Sequence, residues 1–224
     1  MDLIEALQTR KSIRAFKPDP VPQKVIKEIL GIACRAPSAM NIQPWEFLVL
    51  TGNILEEIGK ENVKLLNSGT PPSPEHLVVG WTNESVYRLR QVGLAKQLFR
   101  LMDIPREDKV KRAWWLERGF RHFDAPVSIV ILTDRSLVES TPLLDLGAVM
   151  QNICLAAMGF NLGTCIEDQS VMYPQVLRKA AGIPDSKRII IGIAIGYPDM
   201  DFPANRVESA REPVDNITTW CGYD

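Results

Sequence analysis

Residues 36–45 of the chain read A-P-S-A-M-N-I-Q-P-W and separate a helical pattern from a β-rich run at Glu46 to Thr51. Pro37 ends the helix because its ring disfavours α geometry at the preceding residue, and Pro44 favours an extended residue before it. The polar side chains between the two prolines can donate and accept hydrogen bonds in several directions: Ser38, Asn41 and Gln43. Such a turn suits a planar heteroaromatic ligand that carries carbonyls and ring nitrogens. An ordinary connecting loop is the alternative.

A second motif, here called the basic strip, lies upstream at residues 10–14 and reads R-K-S-I-R. If the chain is extended there, Arg10, Ser12 and Arg14 share one face. Two guanidinium groups and a hydroxyl on one side predict a phosphate-monoester site, because they can make charge-assisted and bidentate hydrogen bonds. A solvated basic turn is the alternative interpretation of this motif taken alone.

Together the two motifs, R-x-S-x-R-x-F followed by A-P-S-x-x-N-x-Q-P-W, resemble the flavin-dependent nitroreductase family, and the nitrobenzoate-reductase-like members in particular. Shorter patches extend the resemblance over most of the chain: F-D-A-P at 123–126, D-L-G-A at 145–148, G-T at 163–164, G-Y-P at 196–198 and R-E-P at 211–213. The resemblance implies an α+β fold with a central, mostly antiparallel sheet flanked by helices. It also implies an intertwined homodimer with FMN at the subunit interface.

Site roles follow from the same resemblance. Arg10, Lys11 and Ser12 are expected to hold the flavin phosphate and ribityl chain, Arg14 to lie near N1 and O2 of the ring, and Arg211 to complete the phosphate clamp. The partner subunit is expected to supply the loop residues Pro37, Ser38, Ala39, Met40, Asn41 and Gln43. Backbone groups of Ile166, Glu167 and Asp168 are expected near the middle ring. Ser209 stands where the family often has a second basic residue, so Lys11 is expected to take its place.

The composition of the chain argues against nucleic-acid-binding, membrane and metal-binding proteins. The 224 residues are 46% hydrophobic and 24% charged with a formal net charge of −1, which is typical of one globular domain and gives no sign of nucleic-acid binding. No apolar run is long enough to span a bilayer, and the N-terminal residues lack a basic-then-apolar signal pattern. We therefore expect a cytoplasmic protein with no membrane partner. Four cysteines and two histidines without ligand spacing predict no metal site.

Along the chain we predict a single domain over 1–224, with a flap or lid insertion at about 67–123 and a C-terminal arm at about 198–224. A proline-rich loop is expected at about 67–85, with helical patterns at about 92–101 and 109–123. The helix at about 143–161 repeats apolar residues such as Leu144, Ala148 and Leu155, which indicates either a core helix or a dimer seam. The tryptophans of the 109–123 helix are expected to pack inward and its cations to be solvated; a lid that selects an anionic aromatic substrate is the alternative.

The predicted function is that of an FMN-dependent NAD(P)H oxidoreductase. NADH or NADPH reduces the flavin at N5 and leaves, and a nitroaromatic or similar electron-poor aromatic is then reduced in a ping-pong cycle. No catalytic side chain is needed, because the flavin carries the hydride. One alternative is the same chemistry on a quinone, an activated alkene or a halogenated phenol. Another is a cofactor-free interaction module. The sequence does not specify the physiological acceptor, the preferred nicotinamide, the lid motion or the role of the Glu167 side chain.

Overall fold

The computed structural model describes residues 2–223 and has an antiparallel sheet at its centre. Its strands are β1 (Glu46–Thr51), β2 (Val127–Asp134), β3 (Gly163–Glu167) and β4 (Lys187–Gly196), in the spatial order β1-β2-β4-β3. Every neighbouring pair of strands is antiparallel. β2 and β4 are buried along almost their whole length, since they occupy the middle of the sheet. The predicted α+β fold with a central antiparallel sheet is confirmed.

Helices cover the sheet and extend beyond its edges. They are α1 (Leu3–Thr9), α2 (Gln23–Ala33), α3 (Gly52–Asn67), α4 (Val86–Leu101), α5 (Lys109–Phe120), α6 (Leu143–Met158) and α7 (Pro174–Ala181). Local signals explain several of their ends. The Asp2 carboxylate accepts the backbone N–H of Glu5 at 2.8 Å and caps α1, and Gly182 ends α7 in a left-handed conformation with φ of 64°.

The hydrophobic core lies on both faces of the sheet. On one face α2 and α6 pack together over β2 and β4, and their contact includes Ile29, Val149 and Ile153, none of which is exposed. On the other face α3 and α7 bury Ile58 and Leu177 against the sheet. Burial of each such side chain contributes about 1.5–3 kcal/mol relative to exposure. The sheet is therefore held between two apolar layers, and its ends and edges remain for polar groups.

Two expectations about the helices need correction. α4 begins at Val86, earlier than the predicted start near residue 92, because the Ser85 hydroxyl caps it by accepting the backbone N–H of Arg88 at 3.2 Å. α6 buries Leu146, Val149 and Ile153, whereas Leu144, the first residue of the predicted stripe, is 87% exposed. α6 is thus a core helix on one face, and it also presents apolar side chains outward.

The segment between α3 and α4 and the segment after β4 contain little regular structure. Within residues 68–85 the Glu75 carboxylate forms ion pairs with Arg178 and Arg135, at 2.7 and 2.8 Å, and so fastens this loop to α7 and the end of β2. α4 is joined to the arm by an ion pair of 2.8 Å between Arg90 and Glu212. No helix among residues 2–223 has the length and apolar character that a bilayer crossing requires.

Candidate functional site

The basic strip runs beside β3, the edge strand of the sheet. Ser12 forms a parallel bridge with Thr164, and the backbone N–H of Ile13 donates to the Thr164 carbonyl at 2.8 Å. Ile13 and Ala15 point into the core, whereas Arg10, Ser12 and Arg14 are half-buried on the other side. The predicted alternation is therefore present, and the strip is fixed to the sheet by its backbone.

The cations of the strip have no acidic partner within the described part of the chain. Arg10, Lys11 and Arg14 form no ion pair there, and the one hydrogen bond from their side chains runs from Nη1 of Arg14 to the Ser12 carbonyl at 3.3 Å. Half-buried cations without a counter-charge repel one another and attract an anion. A phosphate monoester is an anion that matches these donors.

Two thiols lie behind the strip. Burial raises the pKa of Cys154, and it raises the pKa of Cys165 to about 12, although the charges of Arg10 and Arg14 respectively oppose the change. Such buried thiols stay protonated and are poor nucleophiles. They therefore act as small packing residues, and the chemistry of the site does not come from cysteine.

The backbone of Arg14 is held from two sides. Its N–H donates to Oδ1 of the buried Asn205 at 2.6 Å, and its carbonyl accepts from Nη2 of Arg118 at 3.0 Å. Arg118 was expected among the solvated cations of its helix, and this is wrong, because it is 8% exposed and also donates to Asp124 at 2.8 Å. Burial lowers the pKa of Arg118, and the Asp124 carboxylate opposes this shift. Asn205 and Arg118 thus fix the position of Arg14.

The loop between the two prolines projects away from the core. Pro37, Ala39 and Asn41 are exposed, Met40 is 96% exposed, and Ser38 is half-buried. The Ser38 hydroxyl accepts the backbone N–H of the exposed Gln43 at 3.0 Å, so it closes the turn. Met40, Asn41 and Gln43 adopt positive φ of 50°, 60° and 46°. This conformation is unfavourable for a residue with a side chain, and such strain is typical of binding loops.

The carboxylate of Asp145, in the first turn of α6, anchors this loop. Both of its oxygens accept the backbone N–H of Ala39, at 3.2 and 3.3 Å. Asp145 is 9% exposed, and its negative charge is favourable at the N-terminal end of a helix. The loop is therefore exposed at its tip and fixed at its base, which is the form expected of a preformed contact surface.

The end of β3 carries a buried acid. Ile166 and Asp168 are half-buried, whereas Glu167 between them is buried, and its Oε1 lies 3.5 Å from Nδ1 of His122, which is fully buried. Burial, followed by the nearby Asp168 charge, raises the pKa of Glu167 well above its usual value, and the charge of Arg14 acts in the opposite direction. Arg14 and Glu167 therefore belong to one electrostatic environment.

Arg211 lies apart from the strip in the single chain. Its Nη1 donates to the Ser209 hydroxyl at 2.7 Å and to the carbonyls of Ser209 and Ala210, and no hydrogen bond or ion pair in residues 2–223 joins it to the strip. It lines a cleft of about 860 Å³ between α4 and the arm, together with Trp81, Tyr87 and Arg90. The structure brings Arg10, Lys11, Ser12, Arg14 and residues 166–168 together, but not Arg211 or the exposed loop.

These residues fit the chemistry of FMN. The unpaired guanidinium and ammonium groups suit the flavin phosphate, and the backbone groups at the end of β3 offer a polar edge near Arg14. Sequence reasoning did not assign Asn205, Arg118 or His122 to the site. Asn205 and Arg118 act on backbone atoms remote in sequence, so no local pattern signals them. Asp145 is the first residue of the D-L-G-A motif at 145–148, but no role was predicted for it.

Comparisons with known proteins identify the family of the chain. The sequence model of the Nitroreductase family matches residues 7–197. The nitrobenzene nitroreductase of Ectopseudomonas oleovorans is 33% identical, over 96% of this chain and 95% of the relative. A protein of Thermus thermophilus named NADH dehydrogenase is 48% identical, over 98% and 96% of the two chains. The crystal structure of the FMN- and NADPH-dependent nitroreductase NfnB from Sphigopyxis sp. strain HMH covers both chains completely with a TM-score of 0.94 at 28% identity. The chain belongs to the nitroreductase family.

Proposed function

We propose that the protein is an FMN-dependent NAD(P)H oxidoreductase that reduces nitroaromatic compounds. The observation that carries the proposal is the basic strip, whose cations lack acidic partners in residues 2–223 and whose backbone is fixed to β3. Family membership and the names of the similar proteins support this function over a cofactor-free interaction module. A cytoplasmic location, where both nicotinamides are available, is part of the proposal.

The chain's residues would hold the cofactor by complementary charge. Arg10, Lys11 and Ser12 would bind the phosphate and ribityl chain, and Arg211 would add a further cation to the phosphate. Arg14 would place a positive charge beside the electron-rich edge of the ring, where it stabilises negative charge. Backbone groups of Ile166, Glu167 and Asp168 would orient the middle ring. When bound, FMN takes two electrons as hydride from NAD(P)H and passes them to the acceptor.

A homodimer completes the proposed site. Apolar side chains are exposed on α1, on α6 and at the end of the arm, and they include Leu3, Ile4, Leu144, Ile217 and Trp220. Exposed apolar side chains are candidates for an interface. In the proposed dimer, the exposed loop, with Pro37, Ser38, Ala39, Met40, Asn41 and Gln43, would lie against the partner's strip.

We assign the lid to the part of the 67–123 segment that precedes α5. α4 exposes most of its residues, whereas α5 ends in the core with the buried Arg118 and Phe120. The cleft between α4 and the arm offers aromatic Trp81 and Tyr87 beside cationic Arg90. The aromatic side chains suit a flat, electron-poor aromatic ring, whereas the Arg90 charge is already paired with Glu212.

The test is spectroscopic and kinetic. Purified protein should be yellow, release FMN on denaturation and show a dimeric mass by light scattering. Steady-state rates with NADH and NADPH against nitrobenzene, 4-nitrobenzoate and a quinone should give parallel double-reciprocal lines, which indicate a ping-pong cycle. Colourless protein that FMN does not stabilise against heat would contradict the proposal. A quinone reduced faster than either nitroaromatic would support the alternative acceptor.

A further inference from the structure

A strained turn leads into β2. His122, Phe123 and Asp124 have positive φ of 55°, 53° and 56°, and no glycine is among them. Each residue in this conformation costs about 1–3 kcal/mol and persists only where the surrounding structure imposes it. Arg118 and Arg121 impose it by donating to the Asp124 carboxylate at 2.8 and 2.9 Å, and Arg118 also donates to the Phe123 carbonyl at 3.4 Å. This strain directs His122 inward.

The inward position leaves two ionisable side chains facing each other. Nδ1 of His122 lies 3.5 Å from Oε1 of Glu167, and their side chains are 0% and 3% exposed. Within residues 2–223, neither ring nitrogen and neither carboxyl oxygen has a hydrogen-bond partner. An unsatisfied buried polar group costs about 1–3 kcal/mol, so such an arrangement is expensive unless the two groups satisfy each other. The 3.5 Å between Nδ1 and Oε1 is only slightly longer than a hydrogen bond.

Burial and the nearby charges determine whether His122 or Glu167 carries the proton. Burial lowers the pKa of His122 to about 4, and burial together with Asp168 raises the pKa of Glu167. The charged groups on the His122 turn, Arg118, Arg121 and Asp124, are bound to one another. Near neutral pH the imidazole is therefore uncharged, and burial favours the protonated form of the Glu167 carboxyl. A single O–H···N bond then pairs Nδ1 of His122 with the Glu167 carboxyl, while Nε2 and the second carboxyl oxygen stay without a hydrogen-bond partner in residues 2–223.

We propose that His122 is a positioning residue of the candidate flavin site, whose neutral imidazole accepts at Nδ1 a hydrogen bond from the protonated Glu167 carboxyl and so keeps Glu167 from ionising against Arg14. The inference rests on the proposed FMN site. An ionised Glu167 would offset the positive charge of Arg14, which that site needs beside the electron-rich ring. Without an acceptor at His122, the protonated Glu167 carboxyl loses a hydrogen-bond partner, and this loss favours its ionisation near Arg14.

Nitrogen-15 NMR of the purified protein tests the proton position directly. We expect the His122 signals, assigned by their loss in His122→Asn, to report a neutral ring protonated at Nε2 from about pH 5.5 to about pH 8. In Glu167→Gln the ring should remain neutral. An imidazolium signal near neutral pH, or a neutral ring protonated at Nδ1, would overturn the proposal. This measurement needs no bound flavin, so it decides the pairing even if the proposed function fails.

Flavin affinity tests the consequence for Arg14. In His122→Leu, which removes the acceptor, we expect the preference for reduced over oxidised FMN to fall about tenfold, a shift of ~30 mV for a two-electron couple. His122→Asn keeps an acceptor and tolerates positive φ, so its preference should stay within about twofold of the original.

The double variant His122→Leu, Glu167→Gln separates the proposal from a purely structural role. Because the glutamine introduced by Glu167→Gln cannot ionise, the preference for reduced FMN should return to within about twofold of the original value. A double variant as impaired as His122→Leu would overturn the proposal. If His122→Leu does not fold, the NMR spectra of the original protein decide it. If the protein without substitutions binds no FMN, the proposed function is contradicted. The NMR result on the His122–Glu167 pair still holds in that case.

Discussion

The backbone N–H of Arg14 donates to the side-chain oxygen of Asn205 at 2.6 Å, across 191 residues of sequence. The amide of Asn205 also donates to the carbonyls of Ala15 and Asp199, at 2.9 and 2.7 Å. One fully buried side chain thus ties the basic strip to the chain that leaves β4. The orientation of Arg14 depends on this link.

Asn205→Ala should lower the free energy of unfolding by roughly 2–4 kcal/mol, because a buried N–H and two carbonyls lose their partner. FMN retention should fall as well, since the strip loses its fixed backbone. Urea denaturation and flavin fluorescence measure the two effects. Asn83→Ala, at an exposed position, is the control and should stay within about 0.5 kcal/mol. Equal effects of the two changes would contradict the anchoring role.

Asp145→Ala should loosen the loop at residues 37–43. The carboxylate makes a charge-assisted bond to the Ala39 amide, and such bonds contribute about 1.5–3 kcal/mol. We expect faster hydrogen exchange at Ala39 and weaker FMN binding, whereas Asp145→Asn, which keeps an acceptor, should lose less. Asp19→Ala, at an exposed site, should change neither quantity. Unaltered exchange at Ala39 in Asp145→Ala would refute the anchor.

Arg10→Ala and Arg211→Ala should each weaken FMN retention, by about 1.5–3 kcal/mol if each contacts the phosphate directly. The two residues share no contact in the single chain, so the effect of Arg211→Ala tests whether the arm approaches a phosphate at all. Dialysis followed by flavin absorbance gives the retained fraction. Arg106→Ala, which alters an exposed loop cation, serves as the control. Unchanged flavin content in the double variant would show that the phosphate lies elsewhere.

The buried pair also predicts a pH dependence of stability. In the unfolded protein the pKa values of His122 and Glu167 are about 6.5 and 4.5. In the folded protein burial lowers the pKa of His122 to about 4 and raises the pKa of Glu167. Between about pH 4.5 and about pH 6.5, the unfolded and the folded protein each hold one proton on the His122–Glu167 pair. The contribution of the pair to the free energy of unfolding therefore does not change with pH in this range. Above about pH 6.5 the unfolded pair holds none and the folded pair still holds one, so stability falls by ~1.4 kcal/mol per pH unit until Glu167 ionises.

Glu167→Gln should remove this decline, because glutamine has no proton to lose. Urea denaturation of the original protein and the variant, at one protein concentration and from about pH 6.5 to about pH 8.5, gives the comparison. The difference between them should widen with pH in favour of the variant. Parallel stability curves over this range would show that Glu167 is already ionised in the folded protein.

The sequence predicted features that depend on local chemistry. The shared face of Arg10, Ser12 and Arg14 follows from the alternation of side chains along an extended chain, and the structure has it. The start of α4 was missed because its apolar residues are exposed and give only a weak helical period.

Features that depend on contacts between residues distant in sequence could not be predicted from local sequence patterns. Arg118 is spaced like the solvated cations around it, and its burial depends on carbonyl and carboxylate acceptors that only the tertiary fold brings together. The left-handed turn at His122 contains no glycine to announce it, so its strain is visible only in the structure. The placement of Arg211 and of the exposed loop relative to a second subunit stays a prediction.

The exposed tip and anchored base of the loop at residues 37–43 have a genetic consequence in the proposed dimer. A strip defect such as Arg10→Ala and a loop defect such as Asn41→Ala would then damage complementary halves of each site. Subunit exchange between the two inactive proteins would yield hybrids in which one site carries both defects and the other carries neither. Random exchange restores about a quarter of the sites, so two null alleles would rescue each other.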